Sequence, residues 1–412
     1  MPAALAEFHL DLNHPDFVYD PYPQLAHLRE TLPIFFDPVW NKVFFTRYDD
    51  IAALLRDRRL GRSILHVLSR DELGWPPPNP LLREFDHFQA GHMLDNEPPQ
   101  HTRLKGLMLK AFTSARVEGL RPTIEGIVDG LIDGVQGAGR MDLLKDFAEP
   151  IPVTVIAELL GVPEPDRHLL RPWSASIVKV YELGYTDEQA RAANQAVVEF
   201  SAYVRDLARE RRRAPRDDLI SALVRVEEQG QVLSEEELVA NCILLLNAGH
   251  EASVNGTTLG MLSLHHNPAQ MALARDAAGR GDQEFFKAAV EELLRFDTPL
   301  PMFERWVLHD DEYAGVALRR GMEVGLLYAS GNRDPRRFPE PDRLDLTRKE
   351  NPHLSFGLGI HYCIGGPLAR VELQTSFRAL LRRLPHIRIA REPVEYTGGF
   401  IIRGHRALPV EF

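Results

Sequence analysis

At 412 residues, with 44% apolar and 26% charged side chains, the chain can bury a large globular core. Its 48 basic against 59 acidic side chains give a formal charge of -11, which excludes the basic face a general nucleic-acid binder needs. Two cysteines cannot build a disulfide framework, so a reducing compartment is expected rather than secretion.

The N-terminal text has no basic region followed by an apolar run, so no signal peptide is expected. Further on, Ile34-Phe35-Phe36 and Val43-Phe44-Phe45 flank the turn-prone Asp37-Pro38 and Asn41-Lys42 and predict two short strands. A helical pattern takes over after Asp49, and from about Asp95 to Phe296 the text is mainly helical, broken by Pro and Gly. Arg211-Arg212-Arg213-Ala214-Pro215 predicts one such break, a solvated loop between helices. Ser234 with Glu237 forms a capping-box pattern, and no proline follows until Pro268. A helix over residues 235–266 would be about 48 Å long at roughly 1.5 Å per residue, enough to cross a domain. The apolar stretch Cys242–Leu246 inside it is cut by Asn247 and is far too short for a membrane span, so a cytoplasmic protein without a membrane anchor is expected.

Inside that helix the text reads Ala248-Gly249-His250-Glu251-Ala252-Ser253. Gly249 should weaken the helix by roughly 1 kcal/mol relative to alanine unless something needs the space. The last quarter predicts short strands at Trp306-Val307-Leu308, Gly315–Leu318 and Val324–Leu327, then a Pro-rich coil, a helix after Pro367 and a β-like tail ending in Phe412. No internal repeat interrupts this order. The fold class is therefore mainly α with a small β region, in a single domain over residues 1–412.

Chemistry concentrates in Phe356-Gly357-Leu358-Gly359-Ile360-His361-Tyr362-Cys363-Ile364-Gly365. Three glycines around one cysteine describe a tight loop that can aim amide N–H groups at a sulfur, and a helix starting near Pro367 favours a thiolate there. A zinc site is poorly served, because no paired C-x-x-C exists. Cys242, in an apolar helix, reads as an inert buried thiol.

This segment resembles the cysteine loop of the cytochromes P450, where Phe, two Gly, a basic residue, Cys and Gly recur at this spacing. Glu292-Leu293-Leu294-Arg295 resembles the family's E-x-x-R, 71 residues before Cys363, with Asn332-Arg333-Asp334-Pro335 between them. Pro98–Lys105 resembles the segment that reaches a haem propionate. The likeness covers roughly residues 15 to 405, with four motifs in family order.

The resemblance implies the cytochrome P450 fold, with a long central helix crossing over the haem, and haem b bound through Cys363 as metal ligand. Phe356, Gly357, Gly365 and His361 would shape the cofactor loop, and His101, Lys105, Arg305 and His361 would hold the propionates. Lys105 stands where arginine is common, which keeps the charge but not the bidentate fork. Glu292 and Arg295 would be structural. Ala248, Gly249, Glu251, Ala252 and Ser253 would form the oxygen-activating segment, with Ala252 where threonine usually stands. Ser253, one position on, is turned about 100° away. Either an ordered water or a substrate hydroxyl supplies the missing hydrogen bond, with Glu251 feeding protons, or oxygen insertion is poorly coupled.

The activity implied is insertion of one oxygen atom of O2 into a hydrophobic small molecule by hydroxylation or epoxidation. Met93, Leu300, Met302, Phe303, Phe400 and Ile401 would line the pocket, with Glu304 and His92 adding polarity. Electrons would come from a ferredoxin and its reductase, because the chain carries no flavin or nicotinamide motif. Arg103, Lys105, Lys110, Arg336, Arg337 and Arg370 are candidates for an acidic partner's docking face, and a monomer is expected. Two other readings are a peroxide-driven or non-oxygenating haem-thiolate enzyme and a non-catalytic haem sensor.

Overall fold

The computed structural model describes residues 5–181, 184–228, 230–397 and 399–412. The chain divides into two compact units. One takes in the chain up to Leu68, then Glu125–Glu149 and Ala252–Phe412; the other consists of Ser69–Ile124 and Pro150–Glu251.

The first unit carries a five-stranded sheet in the order Ile34–Asp37, Lys42–Phe45, Glu323–Leu326, Phe303–Val307, Leu60–Gly61. Only the Lys42–Phe45 and Glu323–Leu326 pair is parallel, in register Lys42 to Glu323 and Phe45 to Leu326. Val43, Phe45, Val324 and Leu326 alternate onto one buried face and pack with Ile51, Leu54 and Phe338. Phe35 and Phe44 turn to the other face, stacked 5.3 Å apart, with Met302, Phe400 and Phe17 in the same cluster. The strand expected at Trp306–Leu308 lies earlier, at Phe303–Val307, because the register that pairs Phe303 with Leu326 and Trp306 with Glu323 sets its limits. The strand expected at Gly315–Leu318 begins at Val316 and pairs Val316–Leu318 with Asp311–Tyr313 across a turn at Ala314 (φ 50°) and Gly315 (φ 81°). An alanine in the left-handed region gives no turn signal in the text, so the first arm of this hairpin was not expected.

The second unit is mainly helical. Thr186 and Gln189 close a reciprocal cap on the Asp187–Arg213 helix, and Trp173 stacks 5.1 Å over Phe200 from that helix. Arg211 to Arg213 end the helix rather than forming a solvated loop. Arg211 is fully buried, ion-paired to Asp218 and donating 2.8 Å to the Gly161 carbonyl. A partner seven residues on, beyond Pro215, left no periodic signal.

The predicted long helix runs Glu235–His265. Both bonds of its cap form: Glu237 N donates to Ser234 Oγ at 3.1 Å, and Ser234 N to the Glu237 carboxylate at 3.0 Å. The helix after the Pro-rich coil spans Gly366–Arg383, with proline in its first turn.

Candidate functional site

Cys363 is exposed, in the loop between a short turn at Gly359–His361 and the Gly366–Arg383 helix. Its backbone N donates 3.0 Å to the Phe356 carbonyl, closing the loop on itself. Gly359 has φ +72°, and a side chain there would put its Cβ 2.3 Å from the Leu55 carbonyl oxygen. Only glycine fits that crossing. A Cβ at Gly365 would stand 3.8 Å from the Cys363 sulfur, so glycine keeps that side of the sulfur open. The start of an 18-residue helix follows three residues later, and its positive end stabilises an anion nearby.

Two neighbouring acids on the Gln283–Phe296 helix hold this loop in place. Glu291 accepts from His353 at 3.0 Å and from Arg370 at 2.7 and 2.8 Å, and Arg370 lies 4.2 Å over the Phe356 ring. Burial raises the Glu291 carboxyl, but His353 and Arg370 outweigh it and hold it down at about 2. Glu292 and Arg295 are both fully buried, joined by two bonds of 2.8 Å. Arg295 also donates to the Asn332 and Pro341 carbonyls, while Glu292 accepts from Asp345 N, Arg348 and Asn351. Through these bonds the pair ties the coil before the cysteine loop to one helix.

On the long helix, Leu238–Asn247 and Ser253–Leu264 are buried, whereas Ala248 is exposed and Gly249–Ala252 are only partly covered. The break in burial falls on the six-residue text singled out in the sequence. A Cβ at Gly249 would stand 3.4 Å from Ile156 Cδ1, so this glycine also serves close helix packing. His250 Nδ1 lies 3.7 Å from a Glu251 carboxylate oxygen, and the pairing holds that carboxyl below the usual range, with Lys179 adding to the effect. Ser253 bonds instead to Glu372 on the Gly366–Arg383 helix, within the first unit. Burial pushes the Glu372 carboxyl up to about 8, so it holds a proton at neutral pH.

Arg305 is buried on the Phe303–Val307 strand, donating 2.8 Å to the Glu304 carbonyl, and His361 ends the turn before Cys363. His101 and Lys105 lie one turn apart on the Gln100–Ala111 helix of the second unit, with His101 buried. Among the expected pocket residues, Met93 is buried and its N donates 3.1 Å to Asn241 Oδ1 of the long helix. Met302 and Phe400 pack in the phenylalanine cluster of the first unit, Phe303 stacks along Tyr328, Leu300 is partly covered and Ile401 is exposed. Glu304 is ion-paired to Lys42, which also meets Glu323 at 3.1 Å. His92 is tied to Gln89 at 2.8 Å.

Several proposed docking cations are already engaged. Arg103 pairs with Glu237, Lys110 donates to the Glu227 carbonyl, and Arg336 binds both Glu30 and Asp334. Arg370 is held by Glu291. Among the described residues, no group of three or more His, Cys, Asp or Glu could hold a metal ion, and no helix is long and apolar enough to cross a membrane. The exposed Cys363 thiol, outside any such group among the described residues, fits a haem iron better than a metal held by protein side chains alone.

Comparison with known proteins settles the family. Residues 175–394 match the family model "Cytochrome P450". PksS, the polyketide biosynthesis cytochrome P450 of Bacillus subtilis (strain 168), is 37% identical, the alignment covering 96% of each chain. The chain belongs to the cytochrome P450 family. The cytochrome P450 monooxygenase PikC of Streptomyces venezuelae is 39% identical over 96% of this chain and 92% of its own. The 6-deoxyerythronolide B hydroxylase of Saccharopolyspora erythraea is 37% identical over 97% and 98%. The solved structure of PksS superposes with a TM-score of 0.87 at 35% identity, covering 98% of this chain and 99% of its own. This P450 is a haem-thiolate monooxygenase, an oxidoreductase with haem b as its cofactor.

Sequence reasoning missed two acids in this P450, one beside the cysteine loop and one facing Ser253. Glu291 reads as an ordinary helix-surface carboxylate until His353 and Arg370 converge on it. Glu372, at one position of an amphipathic helix, gives no sign that it is fully buried.

Proposed function

We propose that Cys363 supplies the proximal thiolate and that Ala248–Ser253 is the oxygen-activating segment of this monooxygenase. The observation that carries the proposal is the opening in burial at Ala248–Ala252, in a helix otherwise covered from Leu238 to Leu264. Haem b, when bound, supplies reductive activation of O2 and transfer of one oxygen atom to the substrate.

The remaining roles belong to the chain. Arg305, His361, His101 and Lys105 pair with the two haem carboxylates, Lys105 as a point charge. Ala248 and Gly249 leave room for a diatomic ligand. Glu251, ionised at neutral pH through His250, accepts a proton from solvent and passes it inward by way of an ordered water, since Ala252 offers no hydroxyl. The Ser253 hydroxyl stays on the protonated Glu372, which keeps it out of that relay unless the acid gives up its proton. Glu292 and Arg295 hold the coil that presents the cysteine loop.

The whole chain would then act as one P450 domain, a monomer in the cytoplasm. A ferredoxin and its reductase would supply the electrons. The substrate is a hydrophobic small molecule, with Met93, Leu300, Phe303 and Ile401 as the wall residues best supported by their partial exposure or their contact with the long helix. Met302 and Phe400 would act through the wall, from the core. The name of PksS makes polyketide-derived compounds the first class to screen.

The test is reconstitution with a ferredoxin, its reductase and a nicotinamide donor, using compounds selected by their spin-state shift. Oxygenated product formed with reduced ferredoxin supports the reading. Product formed only with hydrogen peroxide overturns the electron-transfer part of it.

A further inference from the structure

The long helix carries two buried asparagines ahead of the accessible segment, and they differ sharply. Asn241 is fully buried with its amide engaged: its Nδ2 donates 2.7 Å to the Glu237 carbonyl, and its Oδ1 accepts from Met93 N at 3.1 Å. Asn247 is also buried, only 7% exposed, yet neither its Nδ2 nor its Oδ1 has a hydrogen-bond partner. An amide left with both its donor and its acceptor unpaired is costly, and native structures keep few such groups.

The surroundings say what the amide is for. Asn247 directly precedes exposed Ala248. His250 and Glu251 lie three and four residues on, so they share its face of the helix. His250 Nε2 is a second buried atom without a partner. The last covered residue before the opening is thus an unpaired amide, on the face it shares with the partly covered His250 and Glu251.

We propose that Asn247 determines specificity by hydrogen-bonding a hydroxyl group carried by the substrate. A hydroxyl both donates and accepts, so it can satisfy the amide oxygen and nitrogen together. A purely hydrocarbon ligand in the same place would leave both unpaired, and a site built this way discriminates strongly against the analogue lacking the polar group. The natural substrate would then be an apolar skeleton bearing at least one alcohol near the oxidised carbon. The inference rests on Ala248–Glu251 lining the distal pocket.

The test compares the haem-loaded protein with Asn247→Leu, which keeps the side-chain size and removes the amide, and with Asn247→Gln. Cyclododecanol and cyclododecane serve as matched probes, titrated by spin-state shift. The proposal predicts that Asn247→Leu binds the alcohol roughly tenfold more weakly and the hydrocarbon no more weakly. It also predicts that ligand-free Asn247→Leu melts about 2 °C higher, because an unpaired group has been removed. Asn247→Gln should recover part of the alcohol's affinity. Equal losses for both probes, or a lower melting temperature without selective loss, would overturn the proposal and mark the amide as a structural water site. Absence of haem from the parent protein would instead overturn the distal-pocket reading beneath it.

Discussion

Glu292 and Arg295 lie one helical turn apart with no exposed atom, joined by two hydrogen bonds of 2.8 Å. On a helix surface such a pair contributes a few tenths of a kcal/mol. Here it collects bonds from the backbone at Asn332, Pro341 and Asp345 and from the side chains of Arg348 and Asn351, so it organises a coil and not merely a turn. Removing one charge leaves the other buried and uncompensated, which costs about 3–5 kcal/mol. Glu292→Gln should therefore express with little haem and a lower urea midpoint. Native haem content in that variant would contradict the structural role.

Glu291 gives a pH dependence. Its folded-state carboxyl is depressed from 4.5 to about 2, so its contribution is fully present above pH 4.5 and lost as pH falls toward 2. The stability difference between the parent protein and Glu291→Gln should be on the order of 2 kcal/mol near neutral pH and shrink steadily below pH 4.5. Urea denaturation at several pH values measures it. A difference that persists at pH 2 would contradict the ion-pair account.

Glu372 should act in the opposite sense. Its folded-state carboxyl is raised from 4.5 to about 8, so the stabilisation is complete below pH 4.5 and is lost as pH rises through 8. Glu372→Gln keeps the protonated shape without the titration. Its melting temperature should gain on that of the parent protein between pH 6 and 9, and parallel curves over that range would refute the buried, protonated acid.

Glu251 is assigned proton transfer, not substrate binding. Glu251→Gln should leave the substrate-induced spin-state shift intact while lowering the coupled product rate by about a hundredfold, the contribution of a positioned proton-transfer group. The lost electrons should appear as hydrogen peroxide. Unchanged coupling would show that another group delivers the protons.

Much of this was legible in the sequence because local rules dominate there. The Ser234–Glu237 cap announced the long helix to within one residue of its end. The glycines around Cys363 announced a loop in which only a hydrogen fits, as Gly359 does against Leu55. The rest depends on contacts distant in sequence. Arg211 is buried through Asp218 and Gly161, Met302 and Phe400 join a cluster with Phe17, and the docking cations find acids such as Glu30 and Glu237. No periodicity encodes those meetings. The unpaired amide of Asn247 is likewise invisible in the text, where it reads only as the end of an apolar run.

The most direct test of the central claim is the difference spectrum of the haem-loaded protein, reduced under carbon monoxide, beside Cys363→Ser. A thiolate-ligated iron predicts a Soret band displaced far to the red in the parent protein and absent from the variant. A band at the position of histidine-ligated haem, or a red-shifted band that survives in Cys363→Ser, would contradict Cys363 as the iron ligand.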